Sequence, residues 1–397
     1  MADIGSLGTI GYLSGPVDAR GVYDAAAAGG HTKLFGTSYL SQYYALLEAH
    51  RARGVVVTSH GETAYDAERP GIGILNRPRP TSAGWRYHAD MIRWTSARLH
   101  ELEQRGAKAV IMTDAQDYWF VTLPFRRRGM RFVNSYHCAI RSLGHRRFGP
   151  HEVLKRLTSW LHLSFADPSM AVSPHILAQL WAEAGGKRRQ AEWFRPHYDR
   201  ETFAACSPEP KAKADGAKDV LFAGRIEVNK GVFDMVEACR ILAGRDGPIV
   251  RFHMHGEGSA LEALKAAAND AGIADRFFVY GFTSGTDLAA HYAAADIVVV
   301  PTRSDFEEGL AKSVLEGVLA YRPVVTSKAC PALEVVGEAC VEAKLDDASD
   351  YAECIWRLAT DPALMQDKIK AATRLREAFF NPTDSYGQRL AQALESL

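Results

Sequence analysis

Neither sign of charge is in excess: the 397 residues hold 47 Lys+Arg against 47 Asp+Glu. A dedicated nucleic-acid binder normally carries a basic domain, so no nucleic-acid partner is expected. No apolar run approaches the roughly 18 residues needed to cross a bilayer. The start Met1-Ala2-Asp3-Ile4-Gly5 lacks the basic-then-apolar order of a secretory leader. Cysteine is sparse: Cys138, Cys206, Cys239, Cys330, Cys340 and Cys354 are scattered, with no CxxC pair and no His at zinc-ligand spacing. They read as reduced, mostly buried thiols of a cytoplasmic protein. A GxxxxGK[ST] loop is missing, which argues against an ATP-hydrolysing P-loop enzyme. Ser173 has no Gly-x-Ser-x-Gly elbow, so hydrolase chemistry lacks its nucleophile.

The neutral total hides an asymmetry. Residues 1–195 carry 25 basic and 16 acidic side chains, a balance of +9, and residues 196–397 carry 22 and 31, a balance of −9. Ten of the 14 histidines also lie in the first half. Two solvated surfaces of opposite average sign would give this pattern, and so would a basic first half that meets an anionic partner.

Short β-branched runs alternate with amphipathic stretches, the pattern of βαβ units and parallel sheets. In the first half strands are expected at Thr9–Leu13, Gly54–Thr58, Ala109–Thr113, Phe132–Ser135 and near Ala171–Ser173. Helices are expected near Ser38–Arg53, Ser82–Gly106, Pro150–Leu163 and Pro174–Ala184. In the second half the strands are Val220–Ala223, Val250–His255, Phe277–Tyr280, Ile297–Val300 and Pro323–Thr326. Helices fall near Val232–Ala243, Ala260–Ala271, Thr286–Ala294, Ser313–Ala320 and Ala348–Thr360. Each half therefore reads as its own doubly wound sheet, residues 1–195 and 220–378. Between them, 196–219 reads as a linker whose run 211–218, small and charged, should be exposed. Ligands of such sheets sit beyond the carboxyl ends of the strands.

Two segments there carry chemistry. In Phe222-Ala223-Gly224-Arg225-Ile226-Glu227-Val228-Asn229-Lys230-Gly231 a strand runs into a turn, and Arg225 and Lys230 precede a helix. A forked guanidinium and a compact ammonium near a helix start suit a diphosphate, although a solvated loop with two incidental cations is the first reading of the segment alone. In Glu308-Gly309-Leu310-Ala311-Lys312-Ser313-Val314-Leu315-Glu316, Gly309 permits a tight turn and the N–H groups of Leu310 to Ser313 become first-turn donors for an anion. Glu308 would stand at the loop lip and Glu316 one to two turns into the helix. Two carboxylates there make sense if each takes sugar hydroxyls, since an acid facing phosphate would be repelled. A charged amphipathic helix start is the plainer alternative. His255-Gly256-Glu257-Gly258 lacks a third glycine and is a weak dinucleotide signal.

Taken in register, these motifs resemble the retaining GT-B glycosyltransferases of family 4. The likeness is carried by Gly224-Arg225…Lys230-Gly231, His255-Gly256-Glu257-Gly258, Gly281, Ala295-Asp296, Pro301, Glu308…Glu316, Pro323-Val324-Val325 and Glu334-Val335-Val336. It is dense over residues 220–345. Over the first half it is looser, resting on Gly29, Gly30 and Gly36, the strand end Val133-Asn134-Ser135-Tyr136-His137, and Ala171-Val172-Ser173.

The resemblance implies an α/β GT-B fold, two Rossmann-like doubly wound domains facing each other across a cleft, with residues 379–397 crossing back to the first domain as a helix. It implies transfer of a sugar from a nucleotide sugar, a UDP-sugar ahead of a GDP-sugar, to the hydroxyl of a lipid-linked or cell-envelope glycan, without a metal cofactor. Arg225 and Lys230 match the diphosphate-holding pair, Glu316 the ribose-binding carboxylate, and Glu308 the one that orients the donor sugar. Gly309 and Leu310 would complete the diphosphate cradle with backbone groups, Gly224 counts among the nucleotide- and donor-binding positions, and Gly256 and Phe282 lie on loops that approach the nucleotide. His137 matches the histidine that faces the transferred sugar. Alternatives are a GT-B-shaped sugar-nucleotide epimerase or hydrolase, or a non-catalytic nucleotide-sugar binder.

Three positions depart from the pattern. Cys138 replaces the acid that often follows the histidine. Tyr321 replaces a helix-ending glycine, leaving the helix without an easy left-handed residue. Ala329-Cys330-Pro331 replaces a Gly-Gly. In the first half Arg126-Arg127-Arg128-Gly129-Met130-Arg131 and Arg141…His145-Arg146-Arg147 are interleaved with Tyr118, Trp119, Phe120, Phe125 and Tyr136. Such a surface suits an anionic or lipid-linked acceptor at the inner membrane face, and ordinary surface arginines with buried aromatics would read the same way.

Overall fold

A computed structural model describes residues 4–28, 38–113, 118–140, 157, 159–163, 165, 167–185, 191–209, 213–283, 285–306 and 308–397. Gly29, Gly30, Gly36, Arg141, His145, Arg146, Arg147 and the first part of the helix expected at Pro150–Leu163 lie outside the described residues.

Among the described residues fourteen strands form two sheets. β1 (Thr9–Leu13), β2 (Arg53–Thr58), β3 (Tyr65–Arg69), β4 (Ile72–Asn76), β5 (Ala107–Thr113), β6 (Arg131–Tyr136), β7 (Ser169–Ala171) and β8 (Ala191–Trp193) make the first, in the order β3-β4-β2-β1-β5-β6-β7-β8. β9 (Lys218–Ala223), β10 (Val250–His255), β11 (Phe277–Gly281), β12 (Ile297–Val300), β13 (Val324–Thr326) and β14 (Cys340–Glu342) make the second, in the order β11-β10-β9-β12-β13-β14. All pairings are parallel except β3 with β4. A parallel sheet is covered on both faces, so its inner strands are continuously apolar; β12, Ile297-Val298-Val299-Val300, is wholly buried.

The antiparallel hairpin β3–β4 escapes the sequence pattern. β3 alternates half-buried and exposed positions at the sheet edge, and its Asp66 and Glu68 pair with Arg105 at 3.0 and 2.7 Å. Its polarity hides it. β8 and β14 have three residues each, too few to register a period, and the helix Pro362–Leu375 also goes unread.

In each sheet the strand order reverses beside a central strand. β1 lies between β2 and β5, and β9 between β10 and β12. Loops leaving neighbouring strands at such a point diverge to opposite faces and open a crevice. The stretch 196–219 packs more than its composition implies: Tyr198, Phe203 and Ala217 are buried, and Lys213 pairs with Asp219 at 3.1 Å and with Asp296. The last helix, Tyr386–Glu395, lies against the helix Tyr39–Ala49 of the first sheet's unit. There the Tyr12 and Tyr386 hydroxyls meet at 2.8 Å, and Gly387 N donates to Gln42 Oε1 at 2.9 Å.

The arginine run is only partly a free basic surface. Arg126 pairs with Asp167 and Arg128 with Glu103 at 2.6 Å, while Trp119, Phe125 and Tyr136 are buried. Among the described residues Arg127, Arg128, Arg131 and Phe120 are exposed, Arg128 while paired to Glu103.

Candidate active site

The two crevices face each other and enclose a cavity of about 730 Å³. Its walls are the loops after β1, β6, β9 and β12. His137, Gly224, Arg225, Lys230, Glu308, Gly309, Leu310 and Glu316, eight of the ten residues singled out in the sequence, line it together.

Arg225 follows β9 after Gly224 and is exposed at the cavity. Its loop is tied to the next strand's loop by Glu227, whose carboxylate accepts from Ser259 N at 3.0 Å and Ser259 Oγ at 2.6 Å. Lys230 closes the short turn Val228–Lys230 before the helix Val232–Ala243. Phe306, which the sequence did not flag, lies between the two cations: Lys230 Nζ is 4.1 Å and the Arg225 guanidinium 5.8 Å from its ring centroid.

Glu308 does not stand free at the loop lip. It forms an ion pair with Lys230, accepts from Thr302 Oγ1 at 2.9 Å, and donates its backbone N–H to Ala329 O at 3.2 Å. The Ala329-Cys330-Pro331 departure thus supplies a backbone anchor for Glu308. Lys230 is neutralised in this state, whereas Arg225 has no carboxylate partner among the described residues.

Gly309 is not the left-handed turn residue; Ala311 is, at φ 66°. Gly309 instead permits a close approach. A Cβ on it would stand 1.9 Å from the His137 carbonyl oxygen of the opposite unit. The helix Lys312–Leu319 starts behind Ala311, whose methyl cannot cap it. Its first N–H groups therefore lack a side-chain acceptor at the end where the helix dipole is positive.

Glu316 is 7% exposed and accepts from the Tyr292 hydroxyl at 2.9 Å. Burial pushes its pKa up to about 7, against the opposing influence of that hydrogen bond and of Lys312. Tyr292 is held in turn by buried Arg322, which donates to the carbonyls of Tyr292 at 3.2 Å and Ala293 at 3.1 Å, the end of the helix Gly285–Ala294. No motif in the sequence signals this chain of support.

His137 follows β6. Its Nε2 lies 2.8 Å from Ser135 Oγ, and its ring packs on Tyr39 at 4.6 Å and Phe194 at 5.6 Å. Burial, with nearby Lys312 adding to it, lowers its pKa to about 3, so the ring is neutral at pH 7. A neutral imidazole can accept a hydrogen bond from a sugar hydroxyl or donate one.

Gly256 and Phe282 do not line the cavity. Gly256, at φ 145°, lets its loop abut β9's, since a Cβ there would stand 1.7 Å from Gly224 O. Phe282 is 64% exposed on the loop after β11. Tyr321 itself takes the left-handed conformation, at φ 63°, with Arg322 N bonding back to Gly317 O at 2.8 Å, so the helix end needs no glycine. The cavity is also lined by Tyr12, Tyr39, Thr302 and Lys312, none of them singled out in the sequence, while Phe306 and Tyr292 act on it only through Lys230 and Glu316. Lys312 lies inside the Glu308–Glu316 segment, where the sequence points to its backbone N–H and not to its side chain.

Two parallel-sheet Rossmann-like units facing across a cleft, with the last helix returning to the first, define the GT-B fold. Sucrose-phosphate synthase from Thermosynechococcus elongatus shares it at a TM-score of 0.73 over 98% of each chain, with 16% sequence identity. Anabaena HepE, in a complex with UDP and glucose, does so at 0.63 over 98% of this chain and 100% of that one, also with 16% identity.

In sequence, residues 207–376 match the family model described as Glycosyl transferases group 1. The 2-deoxystreptamine glucosyltransferase of Streptomyces kanamyceticus is 29% identical over 161 residues, 40% of each chain. The GDP-mannose-dependent alpha-(1-6)-phosphatidylinositol monomannoside mannosyltransferase of Mycobacterium tuberculosis is 30% identical over 169 residues, 39% of this chain and 43% of that protein. The chain therefore spans about two fifths of the length of these curated relatives. Among the described residues no helix is long and apolar enough to cross a membrane.

Proposed function

We propose that this protein is a retaining glycosyltransferase that moves a sugar from a nucleoside-diphosphate sugar to an acceptor hydroxyl. The observation that carries this is the convergence of Arg225, Lys230, Glu308, Glu316 and the uncapped start of helix Lys312–Leu319 on one cavity, opposite His137.

In this reading Glu316 takes the ribose hydroxyls, and Arg225, Lys230 and the amides from Gly309 onward take the diphosphate. The bond from the anomeric carbon to the diphosphate oxygen breaks, and its electron pair leaves with that oxygen. Electrostatic stabilisation of the departing charge by preorganised donors is the main source of rate. The acceptor oxygen bonds to the anomeric carbon on the same face, and its proton passes to the departing phosphate oxygen. Glu308 and His137 orient the sugar from the two sides. Two cations and a helix start would take the place of a metal, so transfer should persist in EDTA.

A UDP-sugar donor draws support from the UDP held by HepE, while the mycobacterial mannosyltransferase is named for GDP-mannose. The acceptors named among relatives include 2-deoxystreptamine and a phosphatidylinositol mannoside, and we propose a lipid-linked or cell-envelope glycan here. Peripheral contact with an anionic membrane face would rest on Arg127, Arg131 and Phe120. Cytoplasmic residence belongs to the same proposal.

The test is calorimetry with UDP and GDP, followed by transfer assays with the matching nucleotide sugars. Arg225→Ala should abolish transfer while leaving the melting temperature unchanged; near-normal turnover would refute the diphosphate assignment. Full conversion of the nucleotide sugar without any acceptor would instead identify an epimerase or hydrolase, and binding without turnover under every acceptor a binding protein.

A further inference from the structure

Lys230 is paired to Glu308, and two further cations in the cavity have no carboxylate partner among the described residues. Arg225 is one. The other is Lys312, the first residue of the helix Lys312–Leu319, which lines the same cavity. No carboxylate among the described residues forms an ion pair with it. Its Nζ instead rests over the Tyr39 ring of the opposite unit, 4.6 Å from the centroid. A cation on an aromatic face is held weakly where solvent reaches it and is free to move to an anion.

Its place is also informative. Lys312 begins the helix that carries Glu316 one turn further on, and the Tyr39 ring under its Nζ packs on His137 at 4.6 Å. In the proposed function His137 and Glu316 hold the transferred sugar and the ribose. The group that joins a sugar to a ribose in a nucleotide sugar is the diphosphate. Lys312 is thus a residue of the second unit whose charge reaches across the cleft to the first, beside both of those positions.

We infer that Lys312 is the third cation of the donor site, leaving the Tyr39 ring to take a phosphate oxygen of the nucleoside diphosphate. The inference rests on the proposed function. It adds a residue whose side chain had no assigned role, and it implies that donor binding trades a contact between the two units for a contact with ligand.

The experiment is calorimetry on the full chain and its Lys312→Met and Lys312→Arg variants, with UDP, or GDP where that is the nucleotide bound, and with the corresponding nucleoside as control. Lys312→Met should weaken diphosphate binding about ten-fold and flatten its salt dependence, because one screened ion pair is lost. Nucleoside binding should be unchanged, and Lys312→Arg should restore the diphosphate affinity to within about three-fold. Equal diphosphate affinity in wild type and Lys312→Met overturns the inference. So does equal loss for diphosphate and nucleoside, which would mark a structural role, and so does a raised acceptor KM with unchanged diphosphate binding, which would place the anion on the acceptor. If wild type binds neither UDP nor GDP, the proposed function fails and takes the inference with it, an outcome distinct from the other three.

Discussion

Gly309 and His137 meet across the cleft so closely that a Cβ on the glycine would stand 1.9 Å from the histidine's carbonyl oxygen. Neither partner can yield cheaply, because the contact is backbone against backbone. The Glu308–Glu316 segment is thereby set against the end of β6, and the two halves of the site share one seam.

Gly309→Ala should force that seam apart. Overpacking of this kind costs about 1–3 kcal/mol. We expect a lowered melting temperature together with a loss of at least about ten-fold in kcat/KM, since small displacements of a reacting geometry cost rate steeply. A variant as stable and as active as wild type would mean that the closed seam is dispensable.

Glu316 gives the site a pH dependence. Its pKa, pushed up to about 7 by burial, leaves a large fraction protonated at neutral pH. Only the ionised form accepts two ribose hydroxyls without competition from its own proton. UDP or GDP binding should tighten as pH rises from 6 to 8, and Glu316→Gln should remove that slope. For stability the sign is reversed. Because the folded pKa lies above the usual value near 4.3, this group's contribution is fully present below that value and is lost as pH rises through about 7.

Three histidines act in the other direction. Burial lowers His137 to about 3 and His162 and His255 to about 4, with His291 and His253 adding to the effect at His255. Unfolded histidines protonate near 6.5. Between there and about 4 the unfolded chain binds more protons, so stability is present above 6.5 and falls with falling pH. Urea midpoints should decline steadily from pH 7 to pH 5, and His255→Gln should make the decline shallower. A midpoint independent of pH over that range would contradict the buried, neutral assignment.

Ala311 stores strain at the start of the helix. A non-glycine residue at φ 66° costs roughly 1–2 kcal/mol. Ala311→Gly should raise stability by about 0.5–1 kcal/mol, less than the full strain because glycine also gains freedom in the unfolded chain. Chemical denaturation would measure it. A destabilised variant would show that the Ala311 methyl, buried in the core, matters more than the backbone.

Much of the cavity's lining was legible because its signals are local. Parallel strands buried on both faces appear as continuous apolar runs, and β12 could be bounded to the residue. Arg225, Lys230, Glu308 and Glu316 lie on loops and a helix start that follow such strands, so the chain order alone places them at one sheet's carboxyl edge. The edge strand β3 was not legible, because half-exposed acids paired to Arg105 look like loop.

What the sequence could not determine was which charges are free. The pairing of Lys230 with Glu308 spans 78 positions and arises only because β9 and β12 are neighbours in the sheet. Lys312 meets Tyr39 only because the two units close on each other. The support of Glu316 by Tyr292 and Arg322 needs the helix Gly285–Ala294 to end beside it. Local sequence sets which side chains a loop carries, but the energy of a charge depends on what surrounds it in space. Composition and motif therefore determined the two-sheet architecture and named most of the residues that meet at the cavity, and the tertiary structure alone decided their partners, their protonation and the cation left available.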